Sequence, residues 1–478
     1  MGFGHTIEAP ARRASVRVVA AMPRLSRRAG LWAIAFSFLV VAAFSTAPSP
    51  LYGLFAHRDH LSSLTVTFAY AVYAVGVVVS LVLAGHVSDW YGRRVVLLPA
   101  IAVAVVAAVM FLLWRSLAGL LAARVLTGVA LGAAVATATA YITDLDAGPG
   151  GAATRRAGIV ATIANIGGLA CGPLIAGLLA SDEAHGLTLP FQVFLAALVL
   201  AGVAVVFAPE GHPAIHPRPR YRPQRLLVPS QARRQFAAAA AGVASSFAVL
   251  GLYAGLAGMF LAGAVHHPSP ALIGLTIFLC FGGGAVIQTT TTGWTSHRLI
   301  AAGIAAALIG LGVLVASAWT SPPSLALLVI AGIVAGVGSG AIFRGSLTMI
   351  ILTSGPDDRA GVLATFFTAG YAGLSVPVIG VGLLLQHLSP RVTLLIFALV
   401  VGLGLLAAAP ILIRQQDSGD PCQPSDARRP DRPALQPTQT SDGAGPRRDG
   451  VLPPVGTQRE LAGVGPTGEA RQLGSDRH

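Results

Sequence analysis

Apolar residues run along this chain in long uninterrupted stretches separated by short polar or arginine-bearing segments. A helix rises 1.5 Å per residue and the hydrocarbon of a bilayer is about 30 Å thick, so about 20 apolar residues cross it. Runs of that order occupy 31–54, 64–86, 95–113, 117–142, 157–179, 191–208, 236–265, 271–288, 299–318, 325–352, 361–385 and 392–413. Backbone groups in lipid must satisfy one another, so the pattern predicts twelve membrane-spanning helices.

Three segments fall outside the runs. Residues 1–29 are basic and lead straight into a full-length span, unlike a cleaved signal peptide. Residues 209–234 carry Pro213, Pro217, Pro219, Pro223 and Pro229 and read as a basic linker. Residues 415–478 are rich in Pro, Gly, Asp and Arg and read as a disordered tail. The linker divides the spans six and six, into 31–208 and 236–413. The two blocks are also similar: Arg156-Ala157-Gly158-Ile159-Val160-Ala161-Thr162 returns as Arg359-Ala360-Gly361-Val362-Leu363-Ala364-Thr365. Under the same shift Gly167 falls on Gly370 and Gly177 on Gly380. The expected fold is therefore an all-α integral membrane protein, two six-helix bundles related as parallel repeats. Carriers that work by alternating access use that plan, with the substrate near the midplane between the halves.

Composition narrows the class further. Charged residues make up only 11% of the chain and hydrophobic ones 54%, which excludes a soluble, disordered or collagen-like protein. Cys171, Cys280 and Cys422 are an odd, scattered set, neither a disulfide framework nor a metal site. The formal charge of +13 would suggest nucleic acid in a soluble protein. Here the charge reads as topology. Every basic residue is arginine, and with the N-terminus inside, the inner segments hold eighteen against Arg58, Arg115 and Arg391 outside. That asymmetry places both termini in the cytoplasm and leaves membrane lipid, not nucleic acid, as the partner. Without lysine there is no P-loop, and no cofactor is implied.

After the second run the chain reads Gly85-His86-Val87-Ser88-Asp89-Trp90-Tyr91-Gly92-Arg93-Arg94. By itself this is a tight turn with positive-inside arginines. It also resembles the G-x-x-x-D-R-x-G-R-R loop of the major facilitator superfamily; Gly85, Asp89, Gly92, Arg93 and Arg94 match, and Trp90 replaces the usual arginine. The resemblance implies a latch, with Asp89 facing the positive N-terminal end of span eleven near Arg359 and Gly85 allowing the approach. In span four, Leu120, Arg124, Gly128 and Gly132 resemble a second motif, l-x-x-x-R-x-x-q-G-x-x-x-G, with Thr127 in place of glutamine. In drug exporters that motif implies a part in proton coupling. The alternative is a structural Arg124 bonded to carbonyls of span one. Span five contains Gly168-Leu169-Ala170-Cys171-Gly172-Pro173-Leu174-Ile175-Ala176-Gly177, similar to the antiporter motif G-x-x-x-G-P-x-x-G-G except at Ala176. Glycines so spaced also serve plain helix packing, and Pro173 frees a carbonyl.

No acidic residue lies in the body of any run, and the two intramembrane charges are Arg124 and Arg344. A charged side chain there costs about 2.5–3.5 kcal/mol on insertion scales, so each must face protein or water. Two arginines without an acid suggest either an anionic substrate or carbonyl-bonded structural arginines. The superfamily resemblance implies that spans one, four, seven and ten line the cavity. That nominates Ser37, Phe44, Ser45, Arg124, Ser245, Ser246, Tyr253 and Arg344, with Asn165 and Tyr371 behind them. The function expected is secondary transport of a small molecule, exported by proton antiport. Carriage of an organic anion in either direction and uniport are the alternatives, with a non-transporting sensor further off. The expected site is an inner membrane with both termini cytoplasmic, and the protein is expected to act as a monomer without catalytic residues or a metal.

Overall fold

The computed structural model describes residues 24–85, 87–146, 151–181, 185–211, 221, 223–229, 232–263, 269–355 and 358–414. Most of segment 1–29, the whole of 415–478 and part of the linker lie outside the described residues. Among the described residues, twelve helices are long and apolar enough to cross a membrane. In chain order they are α1 (Arg27–Thr46), α2 (Ser63–Ala84), α3 (Arg93–Leu113), α4 (Leu117–Asp146), α5 (Arg155–Leu179) and α6 (Leu189–Phe207), then α7 (Arg233–Gly263), α8 (Pro270–Thr290), α9 (Ser296–Trp319), α10 (Leu325–Thr353), α11 (Arg359–Leu384) and α12 (Pro390–Arg414). The described residues include no strand.

Boundaries shift where polar groups, not hydropathy, set the helix end. The first helix starts at Arg27, ahead of its apolar run, because the Ser26 hydroxyl accepts the Ala29 N–H at 3.2 Å. Its run is also not one helix. Pro48 and Pro50 cannot donate to the preceding turn, so α1 stops at Thr46; a 3-10 turn over Ser49–Leu51 and a short helix, Tyr52–Asp59, follow. That break leaves the last carbonyls of α1 without helical donors, which becomes important below.

The first six spans pack on one another and the last six do likewise, with α4 against α1, α2 and α3, and α10 against α7, α8 and α9. Outward-facing Val199, Leu200 and Val203 on α6, and Leu399, Val400 and Leu403 on α12, form apolar surface suited to lipid. Glycine sets the tightest crossings. A Cβ at Gly76 would overlap the Val125 carbonyl, and one at Gly128 the Tyr73 carbonyl, so α2 and α4 touch backbone to backbone.

The halves meet mainly along two seams, α5 with α8 and α2 with α11. At the face opposite the linker, here the far face, both seams are closed. A Cβ at Gly177 would overlap the Pro270 carbonyl, one at Gly274 the Pro173 carbonyl, and one at Gly382 the Thr67 hydroxyl.

The crossing of α2 and α4 predicts that Gly128→Val lowers the thermal unfolding midpoint of the purified protein by the equivalent of about 1–3 kcal/mol. Gly312→Ala, where an added Cβ meets nothing within 4 Å, should leave the midpoint unchanged or slightly raised.

Candidate functional site

Between the halves lies a chamber with a cavity volume of about 110 Å³. Tyr70, Tyr73, Phe247, Phe343, Phe367 and Tyr371 supply an aromatic lining, and Ser45, Arg124, Asn165, Gln288 and Ser339 supply polar atoms. A second chamber of about 500 Å³ shares Asn165, Gln288, Phe343 and Phe367 with the first and adds Arg155, Arg344, Thr292 and Thr348. Because Arg155 begins α5 and Thr292 follows α8, the second chamber leads to the linker face. Among the described residues, no aspartate or glutamate lines either space.

Arg124 is only 1% exposed. Its Nη1 donates to the Ser45 carbonyl at 2.7 Å, and its guanidinium carbon stands 4.6 Å from the Tyr73 ring centroid and 6.0 Å from that of Tyr70. The reason is local. Ser45 is among the last residues of α1, whose carbonyls have no helical donor and whose helix end is negative. Two ring faces complete the cationic cage. The Arg124 Nε has no protein partner, nor have the Asn165 Oδ1 and the Ser339 Oγ of the same chamber. Arg344 repeats the device: its Nη1 donates to the Gln288 carbonyl near the end of α8. The two arginines thus lie in successive chambers and do not share one pocket.

Span α5 supports this wall. It widens to a π turn over Ile163–Gly167, which carries Asn165. A Cβ at Gly168 would stand 2.6 Å from the Leu39 carbonyl, and one at Gly172 would overlap that of Ala43, so α1 lies flush against α5. Pro173 has no N–H for the Leu169 carbonyl, and the Thr46 hydroxyl donates to that carbonyl instead at 3.0 Å. The glycines of α10 act similarly. Gly336 and Gly340 press on α8 while Gly338 presses on α9, leaving Ser339 on the chamber wall.

At the linker face, Gly92 has φ +97°, a backbone that favours glycine, and turns the chain into α3. Arg93 Nε donates to Asp144 at 2.9 Å, its Nη1 donates to Ser88 at 2.9 Å and also pairs with Asp89, and its N–H donates to Glu210 at 2.8 Å. Arg94 Nη1 donates to the Val206 carbonyl at 3.0 Å. Asp89 is thus paired within its own half. Arg359 donates to the Ile351 carbonyl at 3.2 Å, also within its own half. The nearest atoms to a Cβ at Gly85 belong to Leu81, not to α11. The latch between Asp89 and α11 is therefore not made in this conformation.

The sequence profile of the Major Facilitator Superfamily matches residues 34–322, more than half of the chain. The chain belongs to the major facilitator superfamily. Among curated proteins no sequence relative is found. Two solved structures share the fold. The human organic anion transporter MFSD10 (TETRAN) is 16% identical with a TM-score of 0.57, over 81% of this chain and 100% of that one. A variant of the nucleoside transporter NupG is 14% identical with a TM-score of 0.59, over 80% of this chain and 99% of that one. The protein is a multi-pass membrane transporter of the secondary type, not an enzyme, and among its described residues no His, Cys, Asp and Glu cluster could hold a metal.

Within this superfamily carrier, Arg124, Ser45, Asn165 and Tyr371 come together at the first chamber, and Arg344 joins Asn165 at the second. Other nominated residues stand outside both. Ser37 donates to the Ala33 and Ala201 carbonyls and faces α6. Phe44 packs among Phe111 and Phe194. Ser245 faces Gly404 of α12, Ser246 donates to the Gly242 carbonyl, and Tyr253 donates to the Leu328 carbonyl of α10. Sequence reasoning missed Tyr70, Tyr73, Arg155 and Ser339. The aromatic pair of span two and the serine set among three glycines were the available signals.

Arg124→Gln should cut transport at least tenfold while membrane insertion, read by surface labelling and yield, is unchanged. Ser37→Ala and Ser245→Ala should stay within about twofold of the parent in the same assay.

Proposed function

We propose that this chain is an exporter of small amphipathic organic anions, working as a monomer in the inner membrane with both termini in the cytoplasm. The observation that carries this reading is the unpartnered Nε of buried Arg124 in an aromatic chamber whose lining includes no carboxylate. A buried donor left unpaired costs about 1–3 kcal/mol, which a bound anion would recover. Ser339 and Asn165 offer further hydrogen bonds to the same guest, and the ring faces suit a flat apolar body.

Charge along the access route and the membrane potential support the direction of export. With the far face closed and the second chamber leading to the linker face, the site in this conformation is reached from the side that the arginine bias assigns to the cytoplasm. Arg155 and Arg344 on that route raise the local concentration of anions. A membrane potential negative inside also favours export of an anion by about 2.3 kcal/mol per charge per 100 mV.

Proton antiport is the second reading, favoured by the antiporter-like glycines of α5, which pack here as a set against α1 and α8. With no acid among the described residues of the chamber wall, the proton would travel on the substrate or on a group outside the chamber.

In inside-out vesicles, an aromatic carboxylate should accumulate when the lumen is held positive, and a neutral analogue should not. Arg344→Gln should reduce anion accumulation about tenfold and leave any neutral flux within twofold; equal losses for both would refute recognition of charge. Accumulation driven by an acidic lumen with the potential clamped at zero would favour the proton antiporter.

A further inference from the structure

The two halves close differently at the two ends of the α2–α11 seam. At the far face the spans touch, Thr67 against Gly382. Further along, Tyr73 and Tyr371 still stand edge to face with centroids 6.3 Å apart, and the Ser375 hydroxyl donates to the Ala71 carbonyl at 3.3 Å. At the linker face a piece of the linker itself lies between them. The Gln224 N–H donates to the Val82 carbonyl at 2.8 Å, and the Tyr221 hydroxyl donates to the Leu83 carbonyl at 3.0 Å, both at the end of α2. Three residues on, the Leu227 N–H donates to the Gly361 carbonyl at 3.4 Å, and the Leu227 carbonyl accepts the Thr365 hydroxyl at 2.9 Å, both on α11.

These bonds have a shared logic. The carbonyls of Val82 and Leu83 are in the last turn of α2, where helix geometry runs out of donors, so an extended strand can take them. Gly361, in the first turn of α11, lets the strand lie flush. A Cβ there would stand 2.7 Å from the Arg225 carbonyl oxygen and 2.8 Å from Leu227 Cδ1. The strand is attached two residues from Gly85 on one side and two residues from Arg359 on the other. It therefore occupies the place where the loop bearing Asp89 and the start of α11 would have to meet for the linker face to close.

We infer that Tyr221 and residues 223–229 form a strap that props α2 and α11 apart at the linker face, so that closing this face requires the strap to leave. The connection between the halves is then a part of the gate. Its bonds to both spans favour the conformation open to the linker face, and its departure exposes α11 to Asp89. The inference needs the two alternating conformations but not the identity of the substrate.

The test uses the full-length protein in nanodiscs, with Cys171, Cys280 and Cys422 replaced by alanine and spin labels at Thr143→Cys and Thr353→Cys. Both positions are exposed at the linker-face ends of α4 and α10. Electron-spin distance measurements without substrate then report the opening of this face. Two variants release the strap by different means: Tyr221→Phe with Thr365→Val removes both side-chain hydrogen bonds, and Gly361→Ala displaces the strand sterically. One such bond is worth a factor of about two to ten, so the short-distance population should rise on the order of tenfold relative to the long-distance one in the first variant. Gly361→Ala should shift it in the same direction. Unchanged distances in both variants, with unfolding midpoints equal to the parent, would overturn the strap. A shift towards longer distances would also overturn it, because the strand would then be holding the face closed. Neither result bears on anion recognition, which the vesicle assay reads separately.

Discussion

A polar group within hydrocarbon must find its partner inside the protein, and much of this structure follows from where those partners are available. Regular helices consume their own hydrogen bonds, so free acceptors arise only where a helix ends or where proline removes a donor. Arg124 and Arg344 both settle on such sites, the Ser45 carbonyl near the end of α1 and the Gln288 carbonyl near the end of α8. The freed Leu169 carbonyl above Pro173 draws in Thr46, and the last carbonyls of α2 draw in the linker. Irregular backbone is thus concentrated at the chamber wall and the gate, where it is shielded from lipid.

The same economy explains the contrast between the faces. Glycine lets two helices approach until backbone meets backbone, and such a contact is either made or lost, with little between. The α5–α8 seam at the far face is of this kind, at Gly177 and Gly274, and on the α2–α11 seam Gly382 admits the Thr67 side chain as closely. At the linker face the connections are hydrogen bonds of exposed or half-buried groups, including Arg155 Nη2 to the Thr292 hydroxyl at 2.5 Å. Contacts of that sort exchange readily with water. The conformation described is therefore tightly shut on one side and loosely bridged on the other.

The spans, the repeat and the three motifs were legible because each is local: a run of apolar residues, a shifted copy, a fixed spacing. The loop from Gly85 to Arg94 was recognisable, but its partner Glu210, far along the chain, was not. The break in α1 was signalled by Pro48 and Pro50 within an otherwise apolar run. Which face of a span meets the chamber is a different kind of information. Ser37, Phe44, Ser245 and Tyr253 sit on spans expected to line the cavity, yet the rotation of each helix, set by glycine crossings with its neighbours, turns them towards α6, the N-terminal core, α12 and α10. Tyr70 and Tyr73 reach the chamber because Gly76 and Gly128 bring α2 against α4. That dependence on a partner helix cannot be seen in one stretch of sequence.

Ser45 and Thr46 are neighbours with separate duties: one holds Arg124 through its carbonyl, the other holds α5 through its hydroxyl. A single peptide unit therefore joins the Arg124 guanidinium to the Leu169 carbonyl that Pro173 leaves free in α5. That unit is common to the chamber wall and to α5, the span that packs on α8 of the opposite half.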